Sequence, residues 1–145
     1  MYNGDLEPDV PSSVLEFKKT IAAADGIIIC TPEYNYSCGP LKGGKADSRV
    51  PGSLKNAIDW ASRPTFAGPS AWTGKAVGIA GIGPQDYDGA HGGLLAAMAL
   101  RQSTMFLEWK VIEKVKLHIS RAPDRFTEGG ELKEEVRHHP SRLGC

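Results

Sequence analysis

The feature that most constrains the fold is a short run of β-branched residues at residues 27–30, which reads Ile-Ile-Ile-Cys. A strand with one face in water would carry a polar residue at every second position. This run therefore predicts a strand covered on both faces, as in a parallel sheet. Pro32 is expected to end the strand because proline cannot donate to a central ladder. The same reasoning places Cys30 in the core as an unreactive residue.

Helical patterns alternate with the apolar runs. Residues 13–24 predict a first helix, in which Ser13 and Glu16 have the spacing of a capping box. The predicted buried face of this helix is Val14, Phe17, Ile21 and Ala24. A second helix is predicted from Ser53 to the break at Pro64.

The second half of the chain repeats the alternation. Residues 76–80 predict a second buried strand, and residues 92–107 predict a third helix. The face predicted for that helix is Leu95, Met98, Gln102 and Met105. Residues 111–119 alternate and carry one mostly polar face that includes His118, which is typical of an edge strand. Strand–helix alternation predicts an α/β parallel sheet with right-handed crossovers.

Length and charge exclude several classes of protein. The 145 residues suit one domain, and 17 basic residues balance 17 acidic residues. Neutrality argues against a nucleic-acid or anionic-membrane binder driven by bulk charge, and no apolar run approaches the ~18 residues of a membrane span. The first five residues do not resemble a signal peptide. Cys30, Cys38 and Cys145 are an odd set without a CxxC pair, so we expect no disulfide framework and a cytoplasmic location.

Two loops follow buried strands, where open α/β sheets bind their ligands. The first is residues 31–37, with two tyrosines and a proline, and the second is the glycine-rich segment at residues 81–83. From the residues alone, both loops are as compatible with ordinary turns as with a binding site. A dinucleotide fingerprint at residues 78–83 is weak because Asp86 stands where its last glycine belongs.

The amino-acid sequence of the first loop is distinctive. Residues 31–37 read TPEYNYS, and residues 50–64 read VPGSLKNAIDWASRP. Together they closely resemble the NADPH-dependent FMN reductase family, which includes bacterial quinone and chromate reductases. The resemblance continues in residues 2–7 and 92–102, and it covers roughly residues 1–135.

The resemblance implies a flavodoxin-like, doubly wound parallel sheet with FMN at its switch point. It also implies hydride transfer from NAD(P)H to FMN and on to a quinone or similar acceptor, in a homodimer or homotetramer. Pro32, Glu33, Tyr34 and Asn35 match the loop that lines the isoalloxazine ring, and Gly81 falls where many members have a serine near the flavin. Since the cofactor supplies the reactivity, no catalytic residue and no metal site are expected.

The sequence departs from the family pattern in two places. The family's first strand–helix–strand unit, with its phosphate loop, has no match before Met1, which leaves a partial domain over residues 1–145 and predicts weak FMN binding. Residues 38–49 are read as an insertion beside the flavin loop, and residues 136–145 as a disordered tail. The alternative function is a non-catalytic, flavin-free remnant that keeps only the family's oligomer contacts.

Overall fold

The described part of the chain alternates helices and strands in the predicted order. A computed structural model describes residues 1–33, 51–64, 70–83, 93–114 and 117–134. The expected insertion at 38–49 and the expected tail at 136–145 lie outside these ranges. The elements are a 3-10 helix Gly4–Asp9, α1 Ser12–Ala23, β1 Gly26–Pro32, α2 Gly52–Ser62, β2 Ala76–Ile82, α3 Leu94–Leu107, β3 Lys110–Val111, β4 Leu117–Ile119 and α4 Ala122–Arg125.

The sheet is parallel, as predicted. β1 pairs with β2 along its whole length, from Gly26 opposite Ala76 to Pro32 opposite Ile82. On the other side of β2, β3 pairs with its first residues and β4 with its last. The single strand expected at residues 111–119 is thus two short strands, and both lie at that side of the sheet.

The core lies on one face of this sheet. Its strand residues Ile29, Val77 and Ile79 share that face, because Ile29 lies directly opposite Ile79 and Val77 is two residues away. The helices contribute buried residues to the same cluster, namely Ile21 from α1, Ile58 and Ala61 from α2, and Ala97, Ala99 and Leu100 from α3. All three long helices therefore pack on the same side of the sheet.

The opposite face of β1 is bare among the described residues, which makes the prediction of a strand covered on both faces wrong. Ile28 is 78% exposed, and Cys30 is exposed as well. Cys30 is therefore not a core residue. The apolar run correctly predicted a strand at these residues. It did not predict the exposed face, because α1, α2 and α3 all pack on the face of Ile29.

The predicted capping box of the first helix is not formed. α1 begins at Ser12, so Ser13 lies inside its first turn; Pro11 takes the N-cap position, and no side chain caps this helix end among the described residues. The buried face also differs, since Phe17 is exposed and Lys18 is buried. The Lys18 ammonium donates to the carbonyl oxygen of Arg63 at the end of α2, at 2.7 Å. Burial lowers the pKa of Lys18.

The face of the third helix is also different from the predicted one. Met98 and Met105 are exposed, and Met105 is 90% exposed. The buried residues are Ala96, Ala97, Ala99 and Leu100. Small side chains let the helix approach the strands closely, so the alanines take the contact that the larger methionines were expected to make. None of the described helices is long and apolar enough to cross a membrane.

Candidate functional site

The candidate site lies where β1 and β2 end. Because the two strands are parallel and in register, their carboxyl ends meet at one edge of the sheet. Pro32 lies opposite Ile82, and the backbone N–H of Glu33 donates to the carbonyl oxygen of Ile82 at 2.9 Å. The structure thus brings the predicted site residues Pro32, Glu33 and Gly81 together. Tyr34 and Asn35, the other two predicted site residues, lie outside the described residues.

The side chain of Glu33 caps a helix. Its Oε2 atom accepts hydrogen bonds from the backbone N–H groups of Leu95, at 3.0 Å, and Ala96, at 3.3 Å. These amides lie in the first turn of α3, where N–H groups have no partner within the helix. A carboxylate there is also attracted by the positive end of the helix dipole. Glu33 therefore joins the end of β1 to the start of α3.

Gly81 is a site of close backbone approach. A Cβ atom at Gly81 would overlap the carbonyl oxygen of Gly93, and a Cβ at Gly93 would overlap the backbone of residues 81 and 82. Gly93 also has a positive φ of 84° and accepts a hydrogen bond from Ala97 N–H at 3.0 Å. The serine that the resemblance led us to expect at position 81 does not fit this backbone without a shift. Because Gly81 has no side chain, the start of α3 can lie against β2.

Two buried residues lie beside this point: Thr31, which the sequence placed in the first candidate loop and the structure places in β1, and His118, which was not predicted as a site residue. Thr31 and His118 flank Gly81 on the neighbouring strands, in direct register, so the three lie in one row on the core face. Thr31 is fully buried, and its hydroxyl donates to the carbonyl oxygen of Pro32 at 3.0 Å. His118, assigned by its sequence pattern to a polar face, is only 9% exposed. The alternation in the sequence carried no signal for this burial, since it placed His118 on the polar face.

The groups described at this edge of the sheet can hold and orient a ligand. The carboxylate of Glu33 is engaged by two backbone amides, and Gly81 and Gly93 meet through their backbones. Within the described ranges, no three histidine, cysteine, aspartate or glutamate residues are grouped so that they could hold a metal ion. Pro32, Glu33 and Gly81 meet at the edge where such sheets bind ligands, which is the edge where the resemblance leads us to expect an FMN ring.

Comparisons with known proteins show which family the chain resembles. The sequence model of the NADPH-dependent FMN reductase family matches residues 1–43 and 46–124. A quinone reductase of Pseudomonas putida is 36% identical over 138 residues, which cover 94% of this chain. A 2-hydroxy-1,4-benzoquinone reductase of a Burkholderia species is 36% identical over 135 residues, or 93% of this chain. The match spans 64% of the length of each of these two relatives.

A solved structure shows the same fold. FerB, a flavoenzyme NAD(P)H:(acceptor) oxidoreductase from Paracoccus denitrificans, superposes with a TM-score of 0.72 at 30% sequence identity. The superposition covers 97% of this chain and 68% of the FerB chain. The expectation of a flavodoxin-like α/β fold is therefore confirmed. The chain belongs to the NADPH-dependent FMN reductase family.

Proposed function

We propose that this chain functions in an NAD(P)H-dependent FMN oxidoreductase of the quinone-reductase type. The observation that carries the proposal is the meeting of two distant family-matching segments, Pro32 and Glu33 with Gly81, at the carboxyl edge of the sheet. The names of the Pseudomonas and Burkholderia relatives support a quinone as the acceptor. FMN held by these residues would supply the redox chemistry, namely two-electron transfer from NAD(P)H to a quinone, which with two protons becomes a hydroquinone.

The residues proposed to bind the flavin are Pro32, Glu33, Tyr34, Asn35 and Gly81. Pro32 is the last residue of β1, and the hydrogen bond from Glu33 N–H to the carbonyl oxygen of Ile82 ties the next residue to the end of β2. Gly81 allows α3 to begin next to the same point. These residues would hold and orient the cofactor, and none of them is proposed to act as an acid or a base.

Further properties belong to the same proposal. The acceptor is a small molecule, and the balance of 17 basic and 17 acidic residues favours neither nucleic acid nor an anionic membrane as a partner. The bare face around Ile28 and the exposed Met105 and Phe106 support a homo-oligomer, either a dimer or a tetramer. A cytoplasmic location is proposed from the cysteine usage.

Flavin binding and turnover test the proposed function. The purified chain is titrated with FMN, binding is followed by quenching of flavin fluorescence, and oxidation of NADH and NADPH is then recorded with a benzoquinone. We expect saturable FMN binding and quinone-dependent oxidation of at least one nicotinamide. Replacing Asn35 with Ala should weaken FMN binding, whereas Asn3→Ala, an exposed residue capping the 3-10 helix, serves as the control.

The opposite result is equally clear. A folded protein that shows neither saturable FMN binding nor oxidation of either nicotinamide would contradict the proposal. It would favour the flavin-free remnant that keeps only oligomer contacts.

A further inference from the structure

The helix α3 carries apolar side chains on two opposite sides. One side packs on the sheet, where Ala97 and Leu100 belong to the core. The opposite side carries Met98, Met105 and Phe106, which are 52%, 90% and 86% exposed. A helix that is apolar all round is typical of a position buried between two layers. The described residues cover one of these sides of α3 and leave the other in contact with water.

The exposed side chains form a stripe along the helix, the outer stripe of α3, which consists of Met98, Gln102, Met105 and Phe106. Their spacing, at i, i+4, i+7 and i+8, is that of a single helix face, and all four residues are exposed. The first three were predicted from the sequence to lie on a buried face. Contiguous apolar surface on a soluble protein marks a place of contact. The outer stripe therefore has the character of a surface that a partner covers.

The outer stripe is symmetric about Gln102. Met98 lies four residues before it, and Met105 and Phe106 lie three and four residues after it. Two copies of α3 can pair antiparallel about a two-fold axis at this residue. Met98 of one copy then comes level with the partner's Met105 and Phe106, because each residue advances a helix by about 1.5 Å. Such a contact uses the same patch on both copies, as two-fold symmetry requires.

The charges along α3 permit this pairing. Arg101 is the one charged residue between Leu94 and Leu107. Its Nη1 atom lies 2.6 Å from Oε2 of Glu113, so its charge is balanced within the same copy. Two outer stripes can therefore meet without bringing like charges together. A stripe without unbalanced charge favours an apolar partner, and a second copy of the stripe is such a partner.

The size of the outer stripe agrees with a weak dimer. If each of its three apolar side chains offers on the order of 100–200 Å² to a partner, the two copies together bury roughly 600–1,200 Å². Interfaces of that size are found in weak, reversible complexes. The stripe is therefore expected to face water in dilute solution and to be paired at higher protein concentration.

We propose that the outer stripe of α3 is the contact through which two copies of this chain pair, antiparallel about a two-fold axis at Gln102. This contact is separate from the bare face of β1, because α3 packs on the other face of the sheet. The inference rests on the homo-oligomer of the proposed function and assigns a surface to it. Flavin binding has no part in it.

A charge placed in the outer stripe tests the contact. Met105→Glu introduces a carboxylate that pairing would bury against apolar side chains. Leu6→Glu, at an exposed apolar residue of the 3-10 helix, is the matched control. Both variants and their reference protein carry Ile28→Thr, which makes the bare face of β1 more polar. We expect Met105→Glu to raise the dimer dissociation constant about tenfold or more, because an unpaired charge is costly to bury. Leu6→Glu should leave it unchanged, and sedimentation equilibrium measures both constants.

A cross-link locates the two-fold axis. The three native cysteines are replaced by serine, and Gln102→Cys is introduced. Glu16→Cys, at an exposed position of α1, is the control. Residue 102 lies opposite its own copy in the proposed pair, within reach of a disulfide. Mild oxidation should therefore form covalent dimers of Gln102→Cys at least about tenfold faster than of Glu16→Cys. Adding Met105→Glu should slow the cross-link at residue 102.

The outcomes decide whether a second copy covers the outer stripe. Equal dissociation constants for Met105→Glu and Leu6→Glu, or cross-linking no faster at residue 102 than at residue 16, would overturn the proposal in favour of another partner. A chain that stays monomeric at every concentration would overturn it as well. All these readouts are made without flavin. A dimer that cross-links through residue 102 and binds no FMN would support this contact and refute the flavin chemistry of the proposed function, and a monomer that binds FMN would do the reverse.

Discussion

Two glycines of β2 illustrate how differently the same residue type can be used. At Gly81 a Cβ atom would collide with backbone, whereas at Gly78 the nearest atom to a Cβ is Cγ1 of Ile28, at 3.8 Å. The first glycine is required by a close approach of two backbones. The second has room for a methyl group at ordinary contact distance.

Alanine substitutions should reveal this difference. Gly81→Ala is expected to lower the free energy of unfolding by about 1–3 kcal/mol, because the backbone of Gly93 must move to admit the methyl group. Gly78→Ala should be neutral or slightly stabilising, since it reduces the conformational freedom of the unfolded chain. Urea denaturation of both variants measures the two effects. Equal losses would contradict the assignment of a special role to Gly81.

At the level of elements, the sequence predicted the helices and strands well and their buried faces poorly. The helix predicted for residues 13–24 is α1, and the run at 27–30 lies within β1. These patterns are local, so they can be read from the chain. Whether Ile28 is covered depends on the side of the sheet where distant helices settle, and no local pattern carries that information.

The candidate site was predicted partly from the order of the strands and partly from the family resemblance. Strand order and register bring Pro32, Glu33 and Gly81 together, which follows from parallel strands and was foreseen. The resemblance to a known family predicts the same residues. The capping role of Glu33 was not foreseen, because its partners in α3 lie more than 60 residues along the chain.

The observed face of α3 can be tested against the predicted one. Leu100 is fully buried and Met105 is 90% exposed, although the methionine belonged to the predicted buried face. Leu100→Ala should lower the free energy of unfolding by about 2–5 kcal/mol, as expected for a large-to-small change in a core. Met105→Ala should change it by less than about 0.5 kcal/mol. Denaturant unfolding of the two variants checks both values, and the reverse order would restore the predicted face.

For the molecule as a whole, the uneven covering of the sheet is the dominant feature. Helices bury the face of Ile29, while the described part of the chain leaves Ile28 on the opposite face in contact with solvent. Large exposed apolar surfaces mark places where proteins associate. We therefore expect the 145-residue chain to associate with itself through this face.

One substitution examines that expectation. Ile28→Thr keeps a β-branched side chain suited to a strand and makes the exposed face more polar. It should reduce the concentration-dependent increase in mass measured by size-exclusion chromatography with light scattering. Leu6→Thr, an exposed position in the 3-10 helix, should leave the association unchanged. A wild-type chain that stays monomeric at every concentration would contradict the expectation.

The exposed thiol of Cys30 can report whether the bare face is accessible to a reagent. It lies on the same side of β1 as Ile28, two residues away, so a small alkylating reagent reaches it only while that face is open. Whatever covers the face, whether another copy of the chain or another part of a longer protein, would shield the sulfur from the reagent. The labelling rate at Cys30, followed by peptide mass spectrometry, therefore records when this side of the sheet is in contact with water and when it is not.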